Sequence, residues 1–257
     1  MIPNPLGFRL DSSRSIREQI REAAKLGAKG VVIEAIGELA PSRLSETGRR
    51  EFRHILRSVE LSLVALSLPV RRPYDSDDQL EDRLQRADTA FAMAYELGTA
   101  LVLAQVGAIP SEANALPRQI YFNALRELGR RADHRGTRLA LEMGPNSGAD
   151  VRALLEQFAQ PGLAASIDPA GLLQKGHDPI ATTIALGPWV AHAYANAAPE
   201  GVSLARRPGF APGTIDWAEY LGAFEEINYR GSLTIWPDPN RDTAKQFQTL
   251  AARLLAF

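Results

Sequence analysis

The chain has 257 residues, of which 45% are hydrophobic and 23% charged, and its net charge is −1. This composition is typical of a globular protein and argues against an intrinsically disordered chain. The balanced charge argues against surfaces for nucleic acid or anionic membranes, and the absence of cysteine excludes disulfides and cysteine-ligated metal sites.

Short β-rich apolar runs alternate with longer stretches of helical periodicity in the first half of the chain. The predicted strands cover residues 6–10, 30–34, 61–68 and 100–105. Asp11 and Ser12 are N-cap candidates for a first helix that reaches about Leu26 and is closed by Gly27. The next predicted helices cover residues 42–60, 76–97 and 117–135.

The second half repeats this pattern. Its predicted strands cover residues 138–142, 163–168, 190–196 and 231–236. The predicted helices cover 150–159, a segment that starts at Asp178-Pro179, 217–228 with Asp216 as its cap, and 242–255. A long loop rich in Pro, Gly and Arg follows the seventh strand and runs to about residue 214.

Eight strand–helix units favour a parallel sheet with crossover helices, and about 250 residues is the usual length of a closed eight-fold barrel. No G-x-G-x-x-G motif follows the first strand, which argues against an open dinucleotide-binding sheet. We therefore predict an α/β fold, a single (β/α)8 TIM barrel domain over residues 1–257.

Polar residues gather at the predicted strand ends, where barrel enzymes place their chemistry. These residues are Arg9, Asp11, Glu34, Ser67, Arg71, Arg72, Gln105, Glu142, Asp168, His192, Tyr194, Asn196, Trp236 and Asp238. Glu142 and Asp168 end adjacent apolar strands, where a carboxylate is costly to bury unless it is paired, metal-bound or hydrated. The pair is suited to metal-assisted proton transfer or to metal-free glycosidic cleavage, and the sequence leaves both open.

Three segments carry a family resemblance: GTRLALEMG at 136–144, ASIDPAGLL at 165–173 and G-x-I-D-W at 213–217. They resemble the xylose isomerase-like sugar phosphate isomerase/epimerase family, and the similarity runs over most of the chain. The resemblance implies the same barrel and a divalent metal site with Glu, Asp, His and Glu ligands on strands five to eight. Glu142 and Asp168 match the first two positions, whereas Tyr194 and Trp236 occupy the other two.

This replacement makes the chain a divergent member of the family. A tyrosine is a poor ligand near neutral pH because its ordinary pKa is about 10, and tryptophan cannot coordinate a metal. The sequence therefore argues against a complete site for Mn, Mg, Co or Zn. It leaves open a metal held by Glu142 and Asp168, with His192 or Asp238 as a substitute ligand.

We expect the ligand to be a carbohydrate-like small molecule. The expected binding residues are Glu34, Arg72, Gln105, His192, Tyr194, Trp236 and Arg207. Trp236 either packs in the core or stacks on a sugar face. The pairs Arg71–Arg72 and Arg206–Arg207 are either exposed charges or ligands for a phosphate or carboxylate group.

The leading hypothesis is a sugar or sugar-phosphate isomerase or epimerase, with Glu142 and Asp168 as catalytic residues. The alternatives are a metal-free sugar-binding or partner protein that has lost catalysis, and a metal-independent lyase or hydrolase that uses the same two carboxylates. We expect a cytoplasmic protein with no nucleic-acid or membrane partner, since neither a signal-peptide pattern nor a long apolar run is present. A homodimer is left open.

Overall fold

The computed structural model describes residues 4–142, 144–196 and 215–256. Eight parallel strands close into a barrel in chain order, and the last strand pairs with the first. The strands are β1 Leu6–Arg9, β2 Gly30–Glu34, β3 Ser62–Ser67, β4 Leu101–Gln105, β5 Arg138–Glu142, β6 Leu163–Ile167, β7 Val190–Tyr194 and β8 Leu233–Ile235. The predicted α/β fold, a (β/α)8 TIM barrel, is therefore confirmed.

Helices lie between successive strands and around the outside of the barrel. They are α1 Ile16–Lys25, α2 Glu46–Ser58, α3 Leu80–Leu97, α4 Ala115–His134, α5 Gly148–Phe158, α6 Pro169–Gln174, α7 Pro179–Leu186, α8 Trp217–Glu226 and α9 Thr243–Leu254. Asp178 and Asp216 cap α7 and α8 as predicted, by accepting hydrogen bonds from backbone N–H groups of the first turn. Among the described residues, every helix is too short or too polar to span a lipid bilayer.

Several predicted boundaries are wrong. Ser15 caps α1, whereas Asp11 closes the preceding turn by accepting the backbone N–H of Ser13 at 2.9 Å. Helix α6 was not predicted, because six residues are too few to show a helical period. The predicted loop before residue 214 falls on residues 197–214, which lie outside the described ranges.

The buried side chains form two layers. The larger one lies between the strands and the surrounding helices. The smaller one lies inside the barrel and consists of Val32, Ala65, Leu103, Ala140, Ala164 and Tyr194. Because three of these residues are alanines, the interior has room for the large ring of Tyr194, which is fully buried.

Gly162, directly before β6, lets the chain approach α4 closely at that point. A Cβ atom there would overlap the carbonyl oxygen of Gly129, a backbone atom that cannot move cheaply. We expect Gly162→Ala to lower the free energy of unfolding by about 3 kcal/mol, measured by urea denaturation.

Gly222 provides the matched control, because it is exposed within α8 and nothing lies near its virtual Cβ. Gly222→Ala should raise stability by about 0.5–1 kcal/mol, since alanine restricts the unfolded chain and favours the helix. Equal stability of the two variants would contradict the close approach of α4 and β6.

Candidate functional site

A cavity of about 610 Å³ opens at the carboxyl end of the barrel, within the size range of small-molecule sites. Strand ends supply most of its polar lining: Arg9, Glu34, Ser67, Gln105, Glu142, Asp168 and Trp236. Helix α6 and the residue after it add Gln174 and Lys175. We call this space the mouth cavity.

Arg9 ends β1 and carries a buried positive charge at the base of the mouth cavity. One terminal nitrogen, Nη2, donates to Glu34 Oε1 at 2.7 Å and to Ser67 Oγ at 3.2 Å. The other, Nη1, donates to the hydroxyl of Tyr194. These contacts fix the guanidinium between β1, β2, β3 and β7.

Two further side chains face the same guanidinium. Its Nη1 lies 3.8 Å from Glu142 Oε1, and its central carbon lies 3.8 Å from the centre of the Trp236 ring. The second contact is a cation–π interaction, in which the aromatic face attracts the positive charge. Arg9 therefore sits between a carboxylate and an aromatic ring, both of which border the mouth cavity.

Glu142 ends β5, and Tyr194 donates a hydrogen bond to its Oε1 at 3.2 Å. Burial raises the pKa of Glu142, while the charge of Arg9 and the hydrogen bond from Tyr194 oppose that rise. The net rise favours the protonated form more than in an exposed glutamate. A carboxyl group in this environment is suited to accepting and returning a proton.

Asp168 follows β6 directly and immediately precedes α6. Burial raises its pKa, and the opposing contributions come from the backbone N–H groups of Gly171 and Ala170, the side chain of Asn196 and the charge of Arg9. Its Oδ1 is buried and has no hydrogen-bond partner among the described residues. Asp168 borders the mouth cavity, so a carboxylate oxygen without a described partner lies beside that space.

The position of the Asp168 carboxylate requires a glycine at position 171, the last residue of the motif AspProAlaGly. A Cβ atom there would come within 2.6 Å of Asp168 Oδ2. Any larger residue would therefore push the carboxylate away from the start of α6.

Trp236 lies at the rim of the mouth cavity and is 43% exposed. Its backbone N–H donates to Asn196 Oδ1 at 2.9 Å, which ties the end of β8 to the residues after β7. Its ring lies 5.6 Å from that of Tyr194. The structure thus places Trp236 where it can contact a ligand, and it does not pack in the core.

His192 does not line the mouth cavity, although we expected it among the binding residues. Its Nδ1 pairs with Ser166 Oγ at 2.9 Å and its Nε2 with Thr234 Oγ1 at 3.0 Å, and the ring is fully buried. Burial, together with the charge of Arg9, lowers the pKa of His192 to about 3. His192 is therefore a neutral interior residue and is not placed to act as a substitute metal ligand.

The other expected residues divide between the mouth cavity and the outer surface. Gln105 is exposed on the cavity rim, and Glu34 borders the cavity with both oxygens engaged, by Arg9 and by Ser12 Oγ at 2.8 Å. Arg72 forms an exposed ion pair with Asp78 beside a different cavity.

Three more expectations concern loop residues. Asp238 is half-exposed, accepts the backbone N–H of Asn240 at 2.9 Å and does not border the mouth cavity, so it is not placed as a ligand either. Arg206 and Arg207 lie outside the described residues.

Arg9, Ser67 and Lys175 are site residues that were missing from our expected binding set. Arg9 and Ser67 stood among the polar strand ends, and an arginine inside the apolar run LeuGlyPheArgLeu was a usable signal. A cation within an apolar strand requires a buried partner. Lys175 follows α6, the helix that the periodicity did not reveal.

The residues present do not fit a divalent metal ion. In the described ranges, no group of three or more His, Cys, Asp or Glu side chains is arranged to hold one. Burial raises the pKa of Tyr194, so its hydroxyl stays neutral, and Trp236 offers no lone pair. The guanidinium of Arg9 adds a positive charge beside Glu142, which repels a cation.

The sequence profile described as xylose isomerase-like TIM barrel matches residues 20–254. The chain belongs to the xylose isomerase-like TIM barrel family. The resemblance inferred from the three sequence segments is therefore confirmed. No protein with curated annotation matches the sequence significantly.

Several solved structures superpose closely on the chain. A xylose isomerase domain protein from Planctomyces limnophilus gives a TM-score of 0.81 at 19% identity, covering 99% of this chain and 96% of that one. A D-psicose 3-epimerase gives 0.77 at 15%, covering 98% and 97%. A probable 3-DHS dehydratase from Bacillus anthracis gives 0.73 at 16%, covering 98% of each chain. At identities this low, the likeness shows the fold alone.

The neutral state of His192 makes stability depend on pH. Its pKa in the folded state is about 3, below the value of about 6.5 in an unfolded chain. As the pH falls below about 6.5, the unfolded state takes up a proton that the folded state does not. The contribution of His192 to stability should therefore fall from about pH 6.5 towards pH 3, by up to about 1.4 kcal/mol per pH unit.

Urea denaturation at several pH values measures this slope. His192→Asn should be less stable at pH 7, and the difference in stability between it and the unmodified chain should shrink as the pH falls from about 6.5 towards 3. His54→Gln, on the exposed face of α2, should keep the original slope. An unchanged slope in His192→Asn would contradict the assignment.

Proposed function

We propose that the chain binds a carbohydrate-like ligand in the mouth cavity and isomerises or epimerises it by proton transfer next to a carbonyl group. The observation that carries this proposal is the placement of Glu142 and Asp168 on adjacent strands, both bordering one cavity of about 610 Å³. The family and the names of its structural neighbours, which include a D-psicose 3-epimerase, support this reaction class.

Glu142 is the proposed base. It removes the proton from the carbon beside the carbonyl group, and the electron pair of that C–H bond forms the carbon–carbon double bond of an enediolate. The carbonyl oxygen takes up the displaced electron pair and becomes negatively charged. Return of the proton from Glu142 to the neighbouring carbon, while the ligand's hydroxyl proton passes to the former carbonyl oxygen, gives the isomer. The epimer forms when solvent, and not Glu142, protonates the opposite face of the original carbon and Glu142 releases its proton to solvent.

Asp168 and the rim residues position the ligand in this proposal. The unpartnered Oδ1 of Asp168 accepts a ligand hydroxyl group. The exposed part of the Trp236 ring stacks on the apolar face of a sugar. Gln105 and Lys175 offer hydrogen bonds at the rim, and Lys175 adds a positive charge suited to a phosphorylated ligand.

Binding without turnover is the second candidate. It is favoured by Trp236, which stands where the family resemblance implies a glutamate, because the site then lacks a second carboxylate that could exchange protons with the ligand. A metal-independent lyase is a related possibility for the same cavity, because dehydration also begins with proton removal beside a carbonyl group. The dehydratase among the structural neighbours supports that alternative.

Exchange of ligand protons with solvent deuterium tests the proposal. The chain is incubated in D2O with a panel of ketoses, aldoses and their phosphates, and proton NMR detects incorporation at the carbon beside the carbonyl group. We expect exchange with the unmodified chain and a loss of at least about 100-fold in Glu142→Gln. Binding by Glu142→Gln, measured by calorimetry, should stay within a few-fold of the unmodified chain.

Arg72→Gln is the control, because Arg72 is exposed and lies away from the mouth cavity, and it should exchange at the unmodified rate. Binding without exchange by the unmodified chain would favour the second candidate over the proposal. Release of water from the ligand would favour a lyase. Absence of both binding and exchange across the panel would contradict the proposal altogether.

A further inference from the structure

The carboxylates at the barrel mouth share one buried positive charge. Arg9 is only 6% exposed, and its guanidinium is paired with Glu34 and lies 3.8 Å from Glu142. A cation this deeply buried is stabilised only when hydrogen bonds and opposite charges surround it. The described contacts provide both.

The guanidinium contacts residues at positions where the family resemblance implies metal ligands. It donates a hydrogen bond to Tyr194, lies 3.8 Å from Glu142 Oε1, and places its central carbon 3.8 Å from the Trp236 ring. These are three of the four positions, and the fourth, Asp168, borders the same cavity. Each replaced residue suits an organic cation, because a phenol oxygen accepts hydrogen bonds and an indole face attracts positive charge.

The guanidinium is also fixed in place by hydrogen bonds. Its hydrogen bonds to Glu34, Ser67 and Tyr194 use three of its five N–H groups. Among the described residues no hydrogen bond engages its other two N–H groups, and Arg9 itself borders the mouth cavity. A preorganised donor of this kind need not reorient when negative charge develops on a ligand oxygen.

We propose that the guanidinium of Arg9 is a built-in cation that takes the place of a divalent metal and donates hydrogen bonds to a carbonyl oxygen of the ligand. The contact with the carbonyl oxygen rests on the proposed function, whereas the replacement of the metal does not.

This contact complements the role of Glu142. When Glu142 removes the proton, the electron pair of the C–H bond enters the enediolate and the carbonyl oxygen becomes an oxyanion. Arg9 stabilises that oxyanion through its N–H groups and keeps its own protons, because a guanidinium does not deprotonate in this pH range. The proton stored on Glu142 then returns to the ligand in isomerisation or is released to solvent in epimerisation, and no group is consumed.

The first test measures metal binding and needs no substrate. Isothermal titration with Mn²⁺ is performed on the unmodified chain, on Tyr194→His/Trp236→Glu, and on Arg9→Gln/Tyr194→His/Trp236→Glu. The second variant restores the missing ligand types but keeps Arg9, so it is the matched control for the third. We expect tight 1:1 binding only in the third variant, at least ten times tighter than in the other two.

Two results would overturn the replacement of the metal by Arg9. One is stoichiometric Mn²⁺ binding by the unmodified chain that Glu142→Gln abolishes. The other is equal Mn²⁺ affinity, including no binding in either, of the two multiple variants when near-ultraviolet circular dichroism shows both to be folded. If the Arg9→Gln chain does not fold, Glu34→Gln is added to remove the carboxylate that would lose its partner.

The second test addresses the carbonyl oxygen through the deuterium-exchange reaction. Arg9→Ala should lose at least about 100-fold in exchange rate, as expected for removal of an oxyanion donor. Added guanidinium ion should restore part of that rate, whereas methylammonium and Mn²⁺ should not. EDTA should leave the unmodified rate unchanged, and Arg72→Ala should match the unmodified chain with and without guanidinium.

An undiminished rate in Arg9→Ala, a lack of rescue by guanidinium in the folded variant, or inhibition of the unmodified chain by EDTA would overturn the carbonyl contact. The two proposals fail in distinguishable ways. If the unmodified chain shows no exchange with any sugar, the proposed function fails, while the Mn²⁺ titrations still decide whether Arg9 replaces the metal.

Discussion

The arrangement of the barrel mouth depends on the burial of one arginine among carboxylates. Moving an ion out of water costs several kcal/mol even after the protein relaxes, so each buried charge requires a partner. Arg9 meets this requirement with Glu34, which holds it at 2.7 Å, and with Glu142 at 3.8 Å. Removing one member of such a group typically costs about 3–5 kcal/mol, because the remaining charge is left unpaired. The same side chain thus joins several strand ends and sets the electrostatics of the cavity.

A neutral layer lies directly beneath this charged layer. Tyr194 is fully buried, and the ring of His192 packs edge-on against it with ring centres 4.5 Å apart. Arg9 disfavours a second positive charge nearby, which contributes to the low pKa of His192. The hydroxyl groups of Ser166 and Thr234 instead hydrogen-bond to the neutral ring. Tyr194, two residues beyond His192 on β7, therefore joins this neutral layer to the charged group around Arg9.

Two sequence patterns, the alternation of strands with helices and the alternation of side chains along each strand, determine which parts of the site could be predicted. Strand–helix alternation was enough to predict the barrel, and the apolar runs that end at Glu142 and Asp168 were enough to place both at the mouth. Period two also placed His192 on the same strand face as Tyr194. The alternation does not show how far each residue lies from the barrel mouth. Two residues along a strand span about 6.6 Å, so His192 is buried one layer of side chains below the cavity.

The role of Arg9 could not be predicted because it depends on pairing across the barrel. Arg9 and Tyr194 are 185 positions apart in the chain, and their contact exists only once β1 and β7 face one axis. A single arginine at a strand end carries no information about which carboxylate it meets. Arg72 illustrates the converse, since its loop position predicted a binding role but its charge is paired with Asp78 at the surface.

The differences between this chain and the family's metal-site pattern are mutually consistent. A histidine at position 194 would offer a nitrogen lone pair to a metal, whereas the tyrosine present offers an oxygen that accepts a hydrogen bond from Arg9. A glutamate at position 236 would add a negative charge, whereas the tryptophan present covers the guanidinium with its ring. A tryptophan in place of a glutamate also leaves the site with one negative charge fewer, which suits the single positive charge of the guanidinium. The two residues that differ from the pattern, Tyr194 and Trp236, thus contact the same arginine.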